Sequence, residues 1–418
     1  MTDFDVIFWF RRDLRLADNQ GLHEASKKGK VLPLFIFDQE ILSELPEGDS
    51  RVEFIRSQLQ QLDKEIQELG GQGISTFMGD PVQIFKQLSL EHPTAQLIYN
   101  RDYEPYATRR DKQVSAHWQG RVQSCKDHLL LEAGEVLKQD GKPYLVFTPY
   151  YKKWQQVVGD QKVMPKPGKG TFSKQKLAGA FPPEMAAQHT VYPYQLPTTE
   201  YSEKRDVLNE HCTLLGPHLR FGTVSPRQLF HKSKLISETF IKELAWRDFF
   251  SQILFFFPHV QNGAFRKEYD SIIWRNDPTE WEAWKEGETG FDVVDAGMKE
   301  LKATGYMHNR VRMIAASFLV KNLLIDWRWG EAYFAEKLLD FDLASNNGNW
   351  QWVAGTGCDA APYFRVFNPL TQAKKFDPDN LYIEKWLGKI PRPHPIVDLK
   401  TTRERAILTY QEAKKWKQ

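Results

Sequence analysis

Four stretches of this chain carry residue types that can do chemistry. The first, FIKELAWRDFFSQILFFF at 240–257, has helical spacing and places Glu243, Trp246 and Arg247 at i, i+3 and i+4, on one face. A carboxylate, an indole and a guanidinium beside a Phe-rich surface need partners if they are buried. An internal Glu–Arg ion pair with Trp as packing accounts for this helix as well as a binding site does. In MHNRVRMIAASFLVKNLLID at 307–326, Asn309, Arg312 and Met313 repeat the spacing while His308 and Arg310 point elsewhere. Polar groups gather at its N-terminal end, where a helix favours anions, and the apolar run beyond Arg312 reads as buried. In DFDLASNNGNWQW at 340–352, two acids two residues apart precede Asn346-Asn347-Gly348, which reads as a hydrogen-bonding turn leading into a Trp-bearing helix. Asp340 and Asp342 have neither EF-hand spacing nor a nearby His, so no metal is expected. The fourth stretch, 358–380, mixes Arg365, Gln372, Lys374 and Lys375 with Tyr363, Phe364 and Phe367. That mixture suits a nucleic-acid surface, and equally a solvated basic rim over an aromatic core.

These stretches need elements to hold them. At roughly 150 residues per domain, 418 residues predict two to three domains. Residues 1–132 alternate β-branched or aromatic runs (Val6 to Phe10, Val31 to Phe37, Ile74 to Met78, Leu97 to Tyr99) with helical patterns such as Val52, Ile55, Leu59, Leu62 and Ile66. The alternation predicts an α/β domain with a Rossmann-like parallel sheet, although no G-x-G-x-x-G follows the first strand. Arg11-Arg12-Asp13-Leu14-Arg15 follows that strand, where open α/β sheets bind ligands; by itself it reads as a solvated basic turn. Residues 133–200 are rich in Pro and Gly and read as a connector over the surface, with one helix near Tyr150 to Val158. From Tyr201 to 418 the pattern is helical, in segments 240–257, 293–303, 307–326 and 331–339, which predicts an all-α domain.

Charge separates the two ends. Residues 1–132 hold 16 Lys+Arg against 21 Asp+Glu, and the remainder holds 40 against 33, so an anionic polymer would prefer the C-terminal part. Cys125, Cys212 and Cys358 are too few and too scattered for a disulfide framework or a four-cysteine metal site. No apolar run approaches the roughly 18 residues of a membrane helix, and the N-terminus lacks a secretory pattern. A cytoplasmic location and no membrane partner are therefore expected.

The motifs gain force from their order. WFRRDLRLADN at 9–19, ELAWRDFF at 243–250, GYMHNRVRM at 305–313, LIDWRWGEAYF at 324–334 and DLASNNGNWQWVAGTGCDAAPYFRVFNP at 342–369 resemble the DNA photolyase/cryptochrome family, over nearly the whole chain. Within it the likeness is to microbial cyclobutane pyrimidine dimer photolyases. The resemblance implies an N-terminal α/β domain, a long connector and a C-terminal helical domain enclosing non-covalent FAD, reduced in the active form. It implies light-driven electron transfer from FAD to a dimer extruded from UV-damaged DNA, by a monomer, with the protein supplying binding, orientation and electrostatics.

The resemblance also assigns roles. Glu243 would meet the flipped pyrimidines, Trp246 and Trp352 would wall the dimer, and Asn309 and Met313 would line the substrate side. Arg247 would sit near the FAD pyrophosphate and Arg312 would face the ring system while pairing with Asp340. Asp342 would hold the polar edge of the flavin, Asn309 would also approach FAD, and Asn346 would lie beside the central-ring nitrogen, its neutral amide compatible with a reduced, anionic flavin. Tyr201, Thr213, Leu214, Leu215 and Gly216 match the remaining cofactor-binding positions. Trp350, Trp327 and Trp274 match an electron-transfer triad, and Arg205, Trp246, Arg310, Arg365 and Gln372 match DNA-contacting positions.

There are departures. Cys212-Thr213-Leu214-Leu215-Gly216 stands where the family carries a hydroxyl-rich phosphate loop, and Asp292 and Tyr306 replace a common Pro and Trp. YEPYATRRD at 103–111 lacks the Asn-Glu pair of many folate-binding relatives, which argues against methenyltetrahydrofolate and leaves a deazaflavin, another antenna chromophore or none. A cryptochrome-type photoreceptor without repair activity is the alternative on the same fold. Met313 and Asn346 weigh against it.

Overall fold

The computed structural model describes residues 3–210, 213–389 and 391–415. Contacts divide the chain into two units: Met1–Glu135 with Trp154–Leu196 and Leu214–Leu235, and Val136–Lys153 with Pro197–Thr213 and Ile236–Gln418.

The first unit is built on a five-stranded parallel sheet. β1 (Val6–Phe10), β2 (Val31–Asp38), β3 (Ser75–Gly79), β4 (Gln96–Asn100) and β5 (Val122–Cys125) lie in the order β3-β2-β1-β4-β5. Register places Val6 opposite both Val31 and Gln96. β1 and β2 are buried throughout, as parallel strands covered on both faces must be. The helix Ser50–Glu68 buries Phe54, Leu59, Leu62 and Ile66 on one such face, so the helical spacing read from the sequence marks its core side. β5 is short and half polar (VQSC), which explains why it carries no strand signal in the sequence.

Strand order reverses between β1 and β4, where such sheets open a crevice. The basic turn after β1 lies there, but it is neither solvated nor free. Arg11 pairs with Asp111 at 2.5 Å, Arg12 with Glu104 at 2.8 Å and Arg15 with Asp127 at 2.7 Å. These guanidiniums are buried or nearly so, and burying a charge requires such partners.

The segment expected to be a surface connector is partly built into this unit. Val31 and Ser173 share backbone bonds through Thr171–Phe172, and Thr76 does the same with Ala178–Ala180. Phe172 is buried against the sheet. Arg227, itself buried, bonds Asp18 at 3.1 Å and Asp127 at 2.6 Å, tying 214–235 to the same core. Backbone pairing and buried ion pairs at large sequence separation are invisible to a compositional reading.

The second unit is helical among its described residues. The segment 240–257 is the helix Glu238–Phe256, 293–303 is Asp292–Thr304, and 331–339 is Trp327–Lys337. The segment 307–326 is not one helix. It runs Asn309–Ser317, widens into a π turn over Phe318–Leu323 and ends at Leu324 in a left-handed conformation (φ 54°). Asn346-Asn347-Gly348 is likewise not a turn but lies inside the helix Leu343–Ala354. Tertiary contacts outweigh turn propensity there: Asn347 donates to the Val260 carbonyl at 3.0 Å, and a Cβ on Gly348 would stand 2.2 Å from the Phe250 ring. That close crossing joins the helix Leu343–Ala354 to Glu238–Phe256. Among the described residues no helix is long and apolar enough to cross a membrane, and no cluster of ligand residues could hold a metal ion.

Candidate functional site

Ser237 caps the helix Glu238–Phe256 by accepting from the Phe240 N–H at 3.3 Å. Its apolar side chains bury Leu244, Phe249 and Leu254, which turns Glu243, Trp246, Arg247 and Phe250 toward a cavity of about 420 Å³. Thr239, Lys242, Asn309, Met313, Ser345, Asn349, Trp352 and Arg205 complete the wall. Residues more than 100 positions apart thus share one concave surface, with two indoles, one carboxylate, two guanidiniums and one ammonium.

Trp246 is held by Phe147, stacked on it at 3.6 Å between centroids and 7° between planes. The Phe147 N–H donates to Asp359 at 2.9 Å. Phe147 opens the helix Phe147–Val158 and was not singled out in the sequence; the aromatic run around Tyr150 and Tyr151 is the only local signal. Glu243 forms an ion pair with Arg205. Burial raises the Glu243 carboxyl above its ordinary pKa, and Arg205 offsets part of that rise. The internal Glu–Arg pair considered in the sequence therefore exists, but its arginine is Arg205, not Arg247.

The helix Asn309–Ser317 is aimed from its start. His308 caps it, its Nδ1 accepting from the Arg310 N–H at 3.2 Å. Burial lowers the His308 pKa to about 4, so the ring is neutral and able to accept. Glu300 accepts from the His308 N–H at 3.1 Å and from the Tyr382 hydroxyl at 2.5 Å. This cap brings Asn309 and Met313 to the cavity. Arg312 points away, bonding the Met307 carbonyl at 2.8 Å and both oxygens of Asp340 at 2.9 and 3.1 Å, with its guanidinium 5.3 Å from the Tyr306 ring. The bidentate Arg312–Asp340 pair matches the expectation.

Asp342 caps the helix Leu343–Ala354 through the Ser345 N–H at 3.0 Å. The Asn346 amide donates to the Glu331 backbone carbonyl at 3.0 Å and its side chain at 2.9 Å, while its Oδ1 takes no hydrogen bond among the described residues. Burial pushes the Glu331 carboxyl up to about 7. Glu331 was missed in the sequence because its role exists only through Asn346, 15 positions away. These features fit a flavin. The cavity supplies, in Arg247, Asn309, Ser345 and Asn349, donors for carbonyl and phosphate oxygens, and its two indoles leave aromatic faces for a second ring system beside the flavin. Nearby, Arg312 and Asn346 are pinned by carboxylates.

Of the tryptophans, Trp350 and Trp327 are buried and Trp274 is half-buried in the second unit's core. Trp350 meets Phe334 at 5.0 Å and Trp284 at 6.4 Å. Trp274 meets Tyr410 at 6.1 Å, and Arg328 lies 5.0 Å from the Trp327 ring. Among the described residues no ring contact joins Trp327 to Trp350 or to Trp274.

Of the DNA-contacting candidates, Arg310 pairs with Asp206 at 2.7 Å and lies over Phe376 at 4.5 Å. Arg365 is exposed and 6.0 Å from the Trp352 ring, with no carboxylate partner among the described residues, and Gln372 is half-buried on the helix Pro369–Phe376. Tyr201 packs edge-on against Phe240 at 5.6 Å. Thr213 falls in the second unit, whereas Leu214, Leu215 and Gly216 fall in the first. There Leu214 adopts φ 53° before the helix Leu215–Phe221, which has no side-chain cap. Cys212 lies outside the described residues. In the first unit, Glu104, Tyr106 and Asp111 of the 103–111 segment are bonded to Arg12, Asp38 and Arg11. An open cavity of about 440 Å³ lies by the ends of β2 and β3, lined by Gln39, Leu42, Ser43, Met78 and Gly79.

Two family models match the chain: DNA photolyase over residues 6–168 and the FAD binding domain of DNA photolyase over 240–393. The chain is 34% identical to a deoxyribodipyrimidine photo-lyase of Halobacterium salinarum, over 98% of this chain and 99% of the relative. A bacterial class III photolyase from Agrobacterium tumefaciens superposes with a TM-score of 0.86 at 32% identity, covering 99% of this chain and 98% of that one. An archaeal photolyase from Sulfolobus tokodaii, solved with two FAD molecules, superposes at 0.84 with 34% identity, covering 98% and 100%.

Proposed function

Because this chain belongs to the DNA photolyase family, we propose that it repairs cyclobutane pyrimidine dimers in DNA with light. The observation that carries the proposal is the single cavity that gathers Glu243, Trp246, Asn309, Met313 and Trp352. FAD, bound and reduced, would supply the light-excited electron needed to open the cyclobutane ring.

The chain's residues do the rest. Arg247 and Asn309 would hold the cofactor from the cavity wall, with Arg312, Asp340, Asp342 and Asn346 beside it. Extruding a dimer costs a few kcal/mol of unstacking, and Trp246 and Trp352 offset part of it by offering aromatic faces. Phe147 keeps the Trp246 ring in one plane before the lesion arrives, so that less order is lost on binding. Burial raises the Glu243 pKa, so on lesion entry its carboxyl would take up a proton more readily than an exposed glutamate and hydrogen-bond a pyrimidine carbonyl. Arg205 orients that carboxyl. Arg365, exposed over Trp352, contacts phosphate beside the lesion. A second chromophore is best accommodated by the cavity at the ends of β2 and β3, since open α/β sheets bind ligands at the carboxyl ends of their strands.

The test is repair itself. Reduced protein is incubated with an oligonucleotide carrying one thymine cyclobutane dimer, in blue light and in darkness, and the products are separated by chromatography. Light-dependent return of intact thymines is expected. No return, with reduced FAD bound, overturns the proposal in favour of another photoproduct or of light signalling.

A further inference from the structure

We infer that Asp206 is an internal competitor of DNA phosphate: it holds Arg310 and neighbours Arg205 in the free protein, yields Arg310 to the bound strand, and takes it back when repaired DNA leaves. This rests on the reading that Arg205 and Arg310 contact DNA.

The carboxylate already sits as a phosphate would. Arg310 gives Asp206 two hydrogen bonds, from Nε at 3.3 Å and from Nη2 at 2.7 Å. A guanidinium takes two phosphate oxygens with the same forked geometry. The Arg310 guanidinium lies over the Phe376 ring at 4.5 Å. Two residues beyond Asp206, the Leu208 N–H donates to the Phe376 carbonyl at 3.1 Å. Phe376 thus supports the guanidinium through its ring and tethers the acidic segment through its backbone. An anion that replaces Asp206 finds the Arg310 fork already oriented.

The exchange is open to solvent and leaves no charge stranded. The Arg310 and Asp206 side chains are 18% and 32% exposed, and Arg205 is 23% exposed. An ion pair that water reaches is weak, so a phosphate can displace it. Asp206 keeps a cation when Arg310 leaves, because the Arg205 Nε stands 3.8 Å from its Oδ1. Arg205 is itself paired with Glu243, so two guanidiniums face two carboxylates and the four charges cancel. His308, neutral through burial, adds no further cation at the start of the Arg310 helix.

Product release gives the competitor its use. Repaired DNA carries the same phosphates as damaged DNA, so the phosphate contacts do not weaken when the ring is split. Stacking in the cavity is lost as the pyrimidines return to the duplex, but Arg310 would still hold the strand. A carboxylate poised beside Arg310 lowers the affinity for every DNA and hastens the departure of the product.

The FAD-loaded protein is titrated in darkness with fluorescent duplexes, one carrying a single thymine cyclobutane dimer and one intact, over a salt series. Asp206→Asn should bind both more tightly, by roughly two- to fivefold at low salt, with a salt slope of log K steeper by up to about one phosphate. Stopped-flow competition should show the intact duplex leaving this variant more slowly by a similar factor. Asp206→Glu keeps the charge and should show no gain, and Asp206→Asn/Arg310→Ala should gain less over Arg310→Ala than Asp206→Asn gains over wild type. Retained flavin absorbance shows that each variant is folded. Binding unchanged or weakened by Asp206→Asn, a gain shared by Asp206→Glu, or a gain of full size without Arg310 overturns the inference while the DNA-contact reading stands. Unchanged binding by Arg310→Ala removes that reading, and the inference with it.

Discussion

Replacing Glu331 by Gln keeps an acceptor for the Asn346 amide and removes a titrating group. Burial raises the Glu331 pKa from 4.5 to about 7, so between those values the folded chain binds more protons than the unfolded one. Stability supplied by the protonated carboxyl is present below 4.5 and is lost as pH rises through 7. At about 1.4 kcal/mol per pKa unit, the rise corresponds to roughly 3 kcal/mol. Glu331→Gln should therefore match the wild type near pH 4.5 and exceed it by up to that amount at pH 8. At roughly 2–4 °C per kcal/mol for a unit of this size, the Tm gap should open by about 6–12 °C. Thermal unfolding followed by circular dichroism, both proteins in the same excess of FAD at pH 5 and pH 8, reads it. Glu243 and Glu300 are also raised by burial, but they are common to both proteins and cancel in the difference. A Tm gap of the same size at both pH values would refute the reasoning.

Glu243→Ala should slow dimer splitting while FAD stays bound, since it removes the carboxyl and leaves Arg205 in the cavity without its partner; repair at the wild-type rate in single-turnover illumination would exclude the role. Arg365→Ala should weaken binding to lesion-bearing and intact DNA alike and lower the salt dependence of log K by about one phosphate's worth, measured by anisotropy titration over a salt series. Gly330→Ala should cost roughly 1–3 kcal/mol through the clash with Trp350, read as a lowered urea midpoint, with disturbed Trp350 fluorescence. Trp246→Ala should weaken dimer binding by roughly 1–3 kcal/mol while leaving flavin absorbance intact, read by competition binding.

The sheet was legible because its strands are short, β-branched and buried on both faces, as Val6–Phe10 shows. The helix Ser50–Glu68 was legible for the complementary reason, a clean apolar stripe. What escaped was structure made by distant partners. β5 is an edge strand with half-polar residues. The segment 171–180 looks like a linker by composition, yet pairs with Val31 and Thr76 through backbone groups that have no residue-type signature. The Asn346-Gly348 pattern spells a turn locally, and it is helical because Asp342 caps the helix and Phe250 fills the space a Cβ at 348 would take.

The same division explains the site. Glu243, Trp246, Asn309, Met313 and Trp352 were named from motifs, since each motif is a run of neighbours on one helix face. Of the residues that hold this site, Arg205 is named only as a DNA-contacting position, and Phe147 and Glu331 are not named. Phe147 stacks on Trp246 from nearly 100 positions away, Arg205 reaches Glu243 across 38, and Glu331 grips Asn346 across 15. A supporting residue needs only the right size or charge at one point in space, so its type is common and its sequence context carries no mark. Its energetic weight is nonetheless comparable with that of the residue it supports. A half-buried carboxylate left without its guanidinium, or an indole free to tilt, loses the orientation on which the cavity depends. Variants of Phe147 and Glu331 should therefore change the cavity's chemistry as much as many substitutions inside the motifs. Phe147→Leu is the sharper case: it keeps the volume class and removes only the stacked plane. Its cost should appear in dimer binding, by roughly 0.5–1.5 kcal/mol, and not in flavin content.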